Sequence, residues 1–146
     1  MRIICVALSL VLGLFASSIL ADDVEKDLKK LEGTWTFDSV EAGGNKLPAE
    51  QFKTMSVTME GTKYSVKLND MVVEAATQKI DSSKSPKTMD VTVTEGPNKG
   101  KVYLAIYEIN GDTLKVCFDP EGKKRPTEFK GDVGSQTLVV HKRVKK

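Results

Sequence analysis

Apolar and polar residues alternate along most of the chain after Gly33. Met55, Val57 and Met59, for example, are separated by polar residues, which is the spacing of side chains on one face of a β-strand. The same alternation predicts eight strands, at Trp35–Val40, Met55–Glu60, Tyr64–Leu68, Met71–Ala76, Met89–Thr94, Lys101–Ile109, Thr113–Phe118 and Thr137–Arg143. Turn-forming residues separate these segments at short intervals. The pattern therefore predicts an all-β domain, either a sandwich or an up-and-down antiparallel barrel.

A different period precedes Gly33. Val24, Leu28 and Leu31 stand at i, i+4 and i+7, which is the spacing of one helix face. The glycine is a suitable end for this short N-terminal helix. Because only three residues of such a helix can be buried, we expect it to be a lid or plug rather than a core element. Pro48–Phe52 predicts one further helical turn, with proline at a first-turn position.

The hairpin near residue 110 allows a prediction of strand register. A three-residue loop at Ile109–Gly111 brings aliphatic side chains opposite one another, in the pairs Ile106–Leu114, Leu104–Val116 and Val102–Phe118. A two-residue Asn110–Gly111 turn would instead place Ile106 opposite Lys115. Because a slip of one residue moves every side chain to the other face, this match favours the longer loop. We expect the aliphatic face, with Leu104 and Ile106, to point inward.

Residues 1–21 have the order of a secretory signal peptide. Arg2 is followed by the apolar run Ile3–Phe15 and then by small residues ending at Ala21. The run is too short for a comfortable transmembrane span, although an uncleaved anchor is the competing interpretation. We expect a signal peptide at 1–21, a single domain at 22–146, and a secreted or periplasmic protein with no integral membrane segment in its mature chain.

The composition is that of an ordinary globular protein, with 40% hydrophobic and 29% charged residues. The formal net charge is +2, and loss of Arg2 with residues 1–21 would leave +1 on the remaining 125 residues. Neither value predicts binding to nucleic acid. The remaining length suffices for one hydrophobic core. The fold depends on that core, because the one remaining cysteine, Cys117, cannot form an internal disulfide.

Candidate catalytic chemistry is sparse. The chain has one histidine, His141, with no carboxylate adjacent in sequence to orient it as a proton shuttle, so we expect a surface or packing role. Cys117 lies between apolar residues of a predicted strand and is expected to be an inert core thiol. This composition disfavours Cys/His metal sites and Ser–His or Cys–His catalysis. We therefore predict no cofactor, no metal and no enzymatic activity.

The first and last predicted strands share a motif. Gly33-Thr34-Trp35 opens the first strand, and Arg143 lies in the last. This combination resembles lipocalins and their relatives, in which the arginine packs across the indole and closes the base of the barrel. The resemblance implies a single eight-stranded up-and-down antiparallel barrel with Trp35 and Arg143 as its structural closure. A guanidinium on a desolvated indole contributes about 1–2 kcal/mol.

A closer resemblance covers nearly all of the chain after residue 21. Its segments occur in order at Leu31–Trp35, Lys46–Pro48, Gly96–Gly100, Ile106–Phe118 and Arg125–Phe129. Together they resemble a small lipocalin-like domain family of planctomycete bacteria. The resemblance implies a lipocalin-like fold, a bacterial source and export, and it supplies no catalytic residues.

Such a barrel points to a binding protein. Eight strands enclose an interior just wide enough for side chains or one small ligand. We expect an exported, non-catalytic monomer that holds a small apolar or amphipathic molecule. The candidate lining residues are Phe37, Val57, Val66, Val91, Leu104, Ile106 and Val116. Arg125 and Phe129 are candidates for the mouth, where Arg125 would either bind an anion or form a structural pair.

Two other functions compete with a ligand carrier. If the short strands leave the interior filled, the protein would be a solid-cored envelope module that acts through its surface on protein or polymer partners. A hydrolase with two carboxylates at the barrel mouth is the weakest hypothesis, because the chain has a lone histidine and no nucleophile motif.

Overall fold

The computed structural model describes residues 16–132 and 134–146. This part of the chain contains one α-helix and nine strands, together with a 3₁₀ turn at Ala49–Gln51. Their bounds are α1 Ala16–Leu31, β1 Gly33–Ala42, β2 Asn45–Lys46, β3 Met55–Glu60, β4 Lys63–Leu68, β5 Met71–Asp81, β6 Lys87–Glu95, β7 Val102–Asn110, β8 Thr113–Asp119 and β9 Thr137–Arg143. The predicted signal peptide lies outside the described residues as far as residue 15, and α1 begins within its last part.

The strands form a closed sheet. From β3 to β9 each strand pairs antiparallel with the next, and β1 pairs with both β3 and β9. Trp35 lies opposite Arg143 at one end of the β1–β9 pairing, and Ala42 lies opposite Thr137 at the other. Eight of the described strands thus form an antiparallel barrel, which confirms the predicted architecture. Closure pairs the edges of the sheet with each other.

Antiparallel order gathers the connections at two ends of the barrel. We call the end with Trp35 and α1 the closed end. The opposite end, the open end, includes segments 43–54, 69–70, 96–101, 120–132 and 134–136. Leu31 is fully buried at the closed end, and Val24 and Leu28 pack against the same core cluster. The apolar face of α1 therefore covers one end of the barrel.

Strand β5 extends well beyond its predicted end, whereas the other predicted strands agree within two residues at each end. Gln78 explains the difference, because it occupies a buried position between Ala76 and Ile80 and interrupts the apolar alternation. Its Nε2 donates a hydrogen bond of 3.0 Å to the carbonyl of Gly61. The turn at Gly61 therefore supplies a partner for the amide nitrogen of this buried polar side chain. The two-residue strand β2 was also not predicted.

The β7–β8 hairpin does not have the predicted register. Its turn is Gly111–Asp112, with Asn110 opposite Thr113, rather than a three-residue loop at Ile109–Gly111. Ile106 therefore lies opposite Cys117. Neither turn considered from the sequence is the one that forms.

Burial on both faces of this hairpin explains the wrong register. Ala105 and Tyr107 point into the barrel and belong to its core cluster. Ile106 and Cys117 point outward, yet they are 1% and 0% exposed. The Cys117 Sγ contacts the backbone of segment 120–132, which lies over this face of the hairpin. Because both faces are covered, matching aliphatic residues does not identify the inner face.

Candidate functional site

The closed end is held by Trp35 and Arg143. The indole is fully buried, and its Nε1 donates a 2.9 Å hydrogen bond to the carbonyl of Leu31, at the end of α1. The Arg143 guanidinium carbon lies 4.2 Å from the indole centroid. Its terminal nitrogens donate to the carbonyls of Lys30 and Glu32, at 2.5 and 2.7 Å. Because carbonyls at a helix C-terminus lack intrahelical partners, a cation there is favourable. The contact therefore joins the first strand, the last strand and the helix.

Gly33 allows this approach. Its φ is +122°, a conformation that favours glycine. A Cβ at this position would lie 3.2 Å from Nη1 of Arg143. Backbone conformation and close contact together explain a glycine two residues before Trp35.

A buried carboxylate links α1 to the barrel wall. Asp27 is 4% exposed and accepts hydrogen bonds from Lys87 Nζ at 2.7 Å and from the Tyr107 hydroxyl at 2.8 Å. Burial by itself raises the pKa of Asp27, but these hydrogen bonds and the charges of Lys87 and Lys30 outweigh it, so the pKa is below its usual value. Asp27 therefore fixes α1 over the closed end as a charged group.

A cavity of about 380 Å³ occupies the barrel between this core and the open end. Its lining is Phe37, Met55, Met59, Tyr64, Val66, Val73, Glu74, Met89, Val91, Pro97, Asn98, Tyr103, Ala105, Val116, Phe118, Val139 and His141. Met59 and Met89 are almost completely buried, whereas Val73 and Pro97 are exposed, so the cavity extends from the core to the surface. Its size and mainly apolar walls are typical of small-molecule sites. Methionine side chains can adapt to different ligand shapes.

His141 is a polar group in the apolar wall. It lies opposite Phe37 in the β1–β9 pairing, with ring centroids 4.7 Å apart in an edge-to-face arrangement. Burial lowers the pKa of His141 to about 4, although contact with the Thr36 backbone opposes the shift. A neutral imidazole has one donor and one acceptor nitrogen. Its Nδ1 is buried and has no hydrogen-bond partner in the described part of the chain.

Glu74 brings a carboxylate to the cavity near the open end. It lies opposite Val66 on β5, and its Oε2 accepts a 3.2 Å hydrogen bond from Asn98 Nδ2. Tyr64 and Tyr103 line the same cavity, and burial followed by the charge of Glu74 raises the pKa of each hydroxyl. Among the described lining residues, Glu74 is the only aspartate, glutamate, lysine or arginine. A second carboxylate for hydrolysis is therefore absent from this lining.

The predicted lining residues divide between the two faces of the wall. Phe37, Val66, Val91 and Val116 line the cavity. Val57 is fully buried in the core cluster but does not line the cavity. The structure corrects the prediction for Leu104 and Ile106, which lie on the outer face because the β7–β8 register differs from the expected one.

The two predicted mouth residues also lie elsewhere. Segment 120–132 folds back along the outer wall, where Arg125 donates a 2.8 Å hydrogen bond to the Ala105 carbonyl and pairs with Asp90 at 2.6 Å. Phe129 lines a separate surface depression beside Lys87. The structural alternative for Arg125 is therefore the one observed. Folding of this segment onto the wall removes both residues from the cavity.

Some of the missed lining residues had a signal in the sequence. Tyr64 shares its alternating set with Val66, and Met55 and Met59 share theirs with Val57. Their periodicity could have placed them inward. The sequence offered no comparable signal for Glu74 or for other polar residues of the lining. Their position depends on which strands meet across the barrel.

Cys117 has no access to the cavity. It is completely buried, its Sγ contacts the Lys130 carbonyl at 3.3 Å, and burial raises its pKa. Across the described ranges, no three histidine, cysteine, aspartate or glutamate residues form a group that could hold a metal ion. No helix in the described part of the chain is both long and apolar enough to span a bilayer.

Comparisons with protein-family models, curated proteins and solved structures give no significant match. The function must therefore be argued from the geometry of the cavity.

Proposed function

We propose that this protein is an exported, lipocalin-like carrier that binds one small, mainly apolar molecule inside its barrel without chemically changing it. The cavity of about 380 Å³, closed at one end and reaching the surface at the other, is the observation that supports this function. On the basis of liquid water volume, it has room for roughly a dozen water-sized groups. The order of residues in 1–21 supports export.

Several features favour binding inside the barrel. The walls are mainly apolar, so an apolar ligand would lose contact with water over most of its surface. Trp35, Arg143 and Asp27 fix the closed end through contacts that involve none of the residues lining the cavity. A cavity held by such a base is largely formed before a ligand enters, which lowers the entropic cost of binding.

The first experiment measures binding of the neutral dye N-phenyl-naphthylamine to the purified protein by fluorescence. Ala105→Phe places a large side chain in the cavity, and we expect it to weaken dye binding roughly tenfold or more. Val102→Phe is the matched control, because Val102 lies on the same strand but is exposed and does not line the cavity. Equal dye binding by the two variants, or no binding by the unchanged protein, would refute the carrier function.

Native mass spectrometry of protein purified from its own host tests for a bound natural ligand.

A surface interaction module is the second candidate. Met71, Val72 and Val73 at the open end are 70%, 54% and 40% exposed, and Leu68 across the same hairpin is 41% exposed. Exposed apolar side chains in one place favour a contact surface. If the interior binds no molecule, we expect the protein to bind a partner through this hairpin. Replacement of Met71 and Val72 by serine should then abolish partner binding.

A further inference from the structure

The ligand's polar group can be inferred from the charge near the open end. Glu74 forms no salt bridge with any residue in the described ranges, and Asn98 occupies only its Oε2. Its Oε1 accepts no hydrogen bond from a described residue. A half-buried carboxylate in this state attracts a cation or hydrogen-bond donor from a ligand.

Aromatic side chains share this part of the cavity. Tyr64 and Tyr103 both line it and both are affected by the Glu74 charge. Tyr103 also lies against Phe118, with ring centroids 5.6 Å apart. Aromatic ring faces attract organic ammonium groups, and the attraction increases when water is excluded.

The same lining is unfavourable for an anion. Among its described residues there is no lysine or arginine, and His141 is buried as a neutral ring. The tyrosine hydroxyls could donate to a ligand carboxylate, but that carboxylate would enter beside the negative charge of Glu74. Repulsion between two carboxylates in a partly buried site opposes such binding.

We propose that the cavity selects an amphiphile with an organic ammonium head, placed between Glu74 and the rings of Tyr64 and Tyr103, over an amphiphile with a carboxylate head. This inference rests on the proposed carrier function. The apolar body of the ligand occupies the interior below Glu74.

Displacement of N-phenyl-naphthylamine tests head-group selection. Decyltrimethylammonium, decanol and decanoate, each below its micelle concentration, compare three head groups on the same apolar chain. We expect the ammonium compound to bind roughly tenfold more tightly than decanoate. Glu74→Gln should reduce ammonium binding roughly tenfold and decanol binding much less, because the amide retains an oxygen that accepts hydrogen bonds but carries no charge. Glu95→Gln is the control, since Glu95 is exposed at the same end and does not line the cavity.

The outcomes separate the two proposals. Dye and decanol binding without a preference for ammonium over decanoate would overturn the inference and retain the carrier function. Equal effects of the Glu74 and Glu95 substitutions would also overturn it. Failure of every probe to bind would reject both proposals. If Glu74→Gln does not fold, the salt dependence of binding to the unchanged protein tests the inference. Added salt should weaken ammonium binding but not decanol binding. The same salt dependence for both compounds would contradict a role for the Glu74 charge.

Discussion

His141 should make the stability of this protein depend on pH in a specific range. It is the one histidine in the chain and is 4% exposed, and burial lowers its pKa from 6.5 to about 4. Protons therefore bind the unfolded chain more readily than the folded one as the pH falls from about 6.5 to about 4. The contribution of neutral His141 to the free energy of unfolding is therefore fully present above this range and decreases within it. Below the folded pKa both states bind the proton, so this contribution decreases no further.

The magnitude follows from the difference between the two pKa values. Each pKa unit corresponds to about 1.4 kcal/mol, so the full difference costs about 3 kcal/mol, of which about 2 kcal/mol is lost between pH 7 and about pH 4.5. This is a large fraction of the free energy of unfolding of an ordinary domain. Folding also lowers the pKa values of Asp27 and Asp119. The contributions of these two carboxylates to the free energy of unfolding are therefore lost mainly at still lower pH.

Urea unfolding followed by Trp35 fluorescence measures this effect in protein without a histidine tag. His141→Phe retains a ring edge-on to Phe37 and removes the titrating group. We expect the unchanged protein to lose about 2 kcal/mol more than the variant between pH 7 and about pH 4.5. Effects of carboxylates common to both proteins cancel in this difference. The same loss in both proteins would refute the assignment of a buried, neutral His141.

Three further experiments test the closed end and the outer wall. Arg143→Lys preserves the charge but not the forked contact with the end of α1, and should lower the free energy of unfolding by about 1–3 kcal/mol in urea titrations; an unchanged midpoint would contradict this role. In a Cys5→Ser background, Cys117 should react with a thiol reagent only after denaturant is added, and rapid reaction of the native protein would show that it is accessible. Gly131→Ala should lower the unfolding free energy by about 1–3 kcal/mol, because its Cβ would lie 2.4 Å from the Glu41 carbonyl oxygen; calorimetry showing no change would indicate that the contact relaxes freely.

Alternation in the sequence predicted eight strands, and the resemblance to lipocalins favoured a barrel over a sandwich. Period-two alternation is a local property, so it located the strands without knowledge of their partners. The turn residues between them then favoured antiparallel neighbours. Gly33, Trp35 and Arg143 were identified through the resemblance to lipocalins, and each performs a role that few residue types can perform. Val66 and Val116 were assigned to the cavity from the alternation within their strands.

Tertiary structure decided the polar part of the site and the inner face of β7. Segment 120–132 covers the outer wall, so Leu104 and Ile106 could be apolar without lining the cavity, and Arg125 pairs with that wall. Glu74 and His141 share a cavity although they lie on strands far apart in the sequence. Barrel closure brings these strands together, and their pairing depends on interactions across the whole chain. Alternation therefore fixes which residues share a strand face, whereas only the closed barrel determines what that face meets.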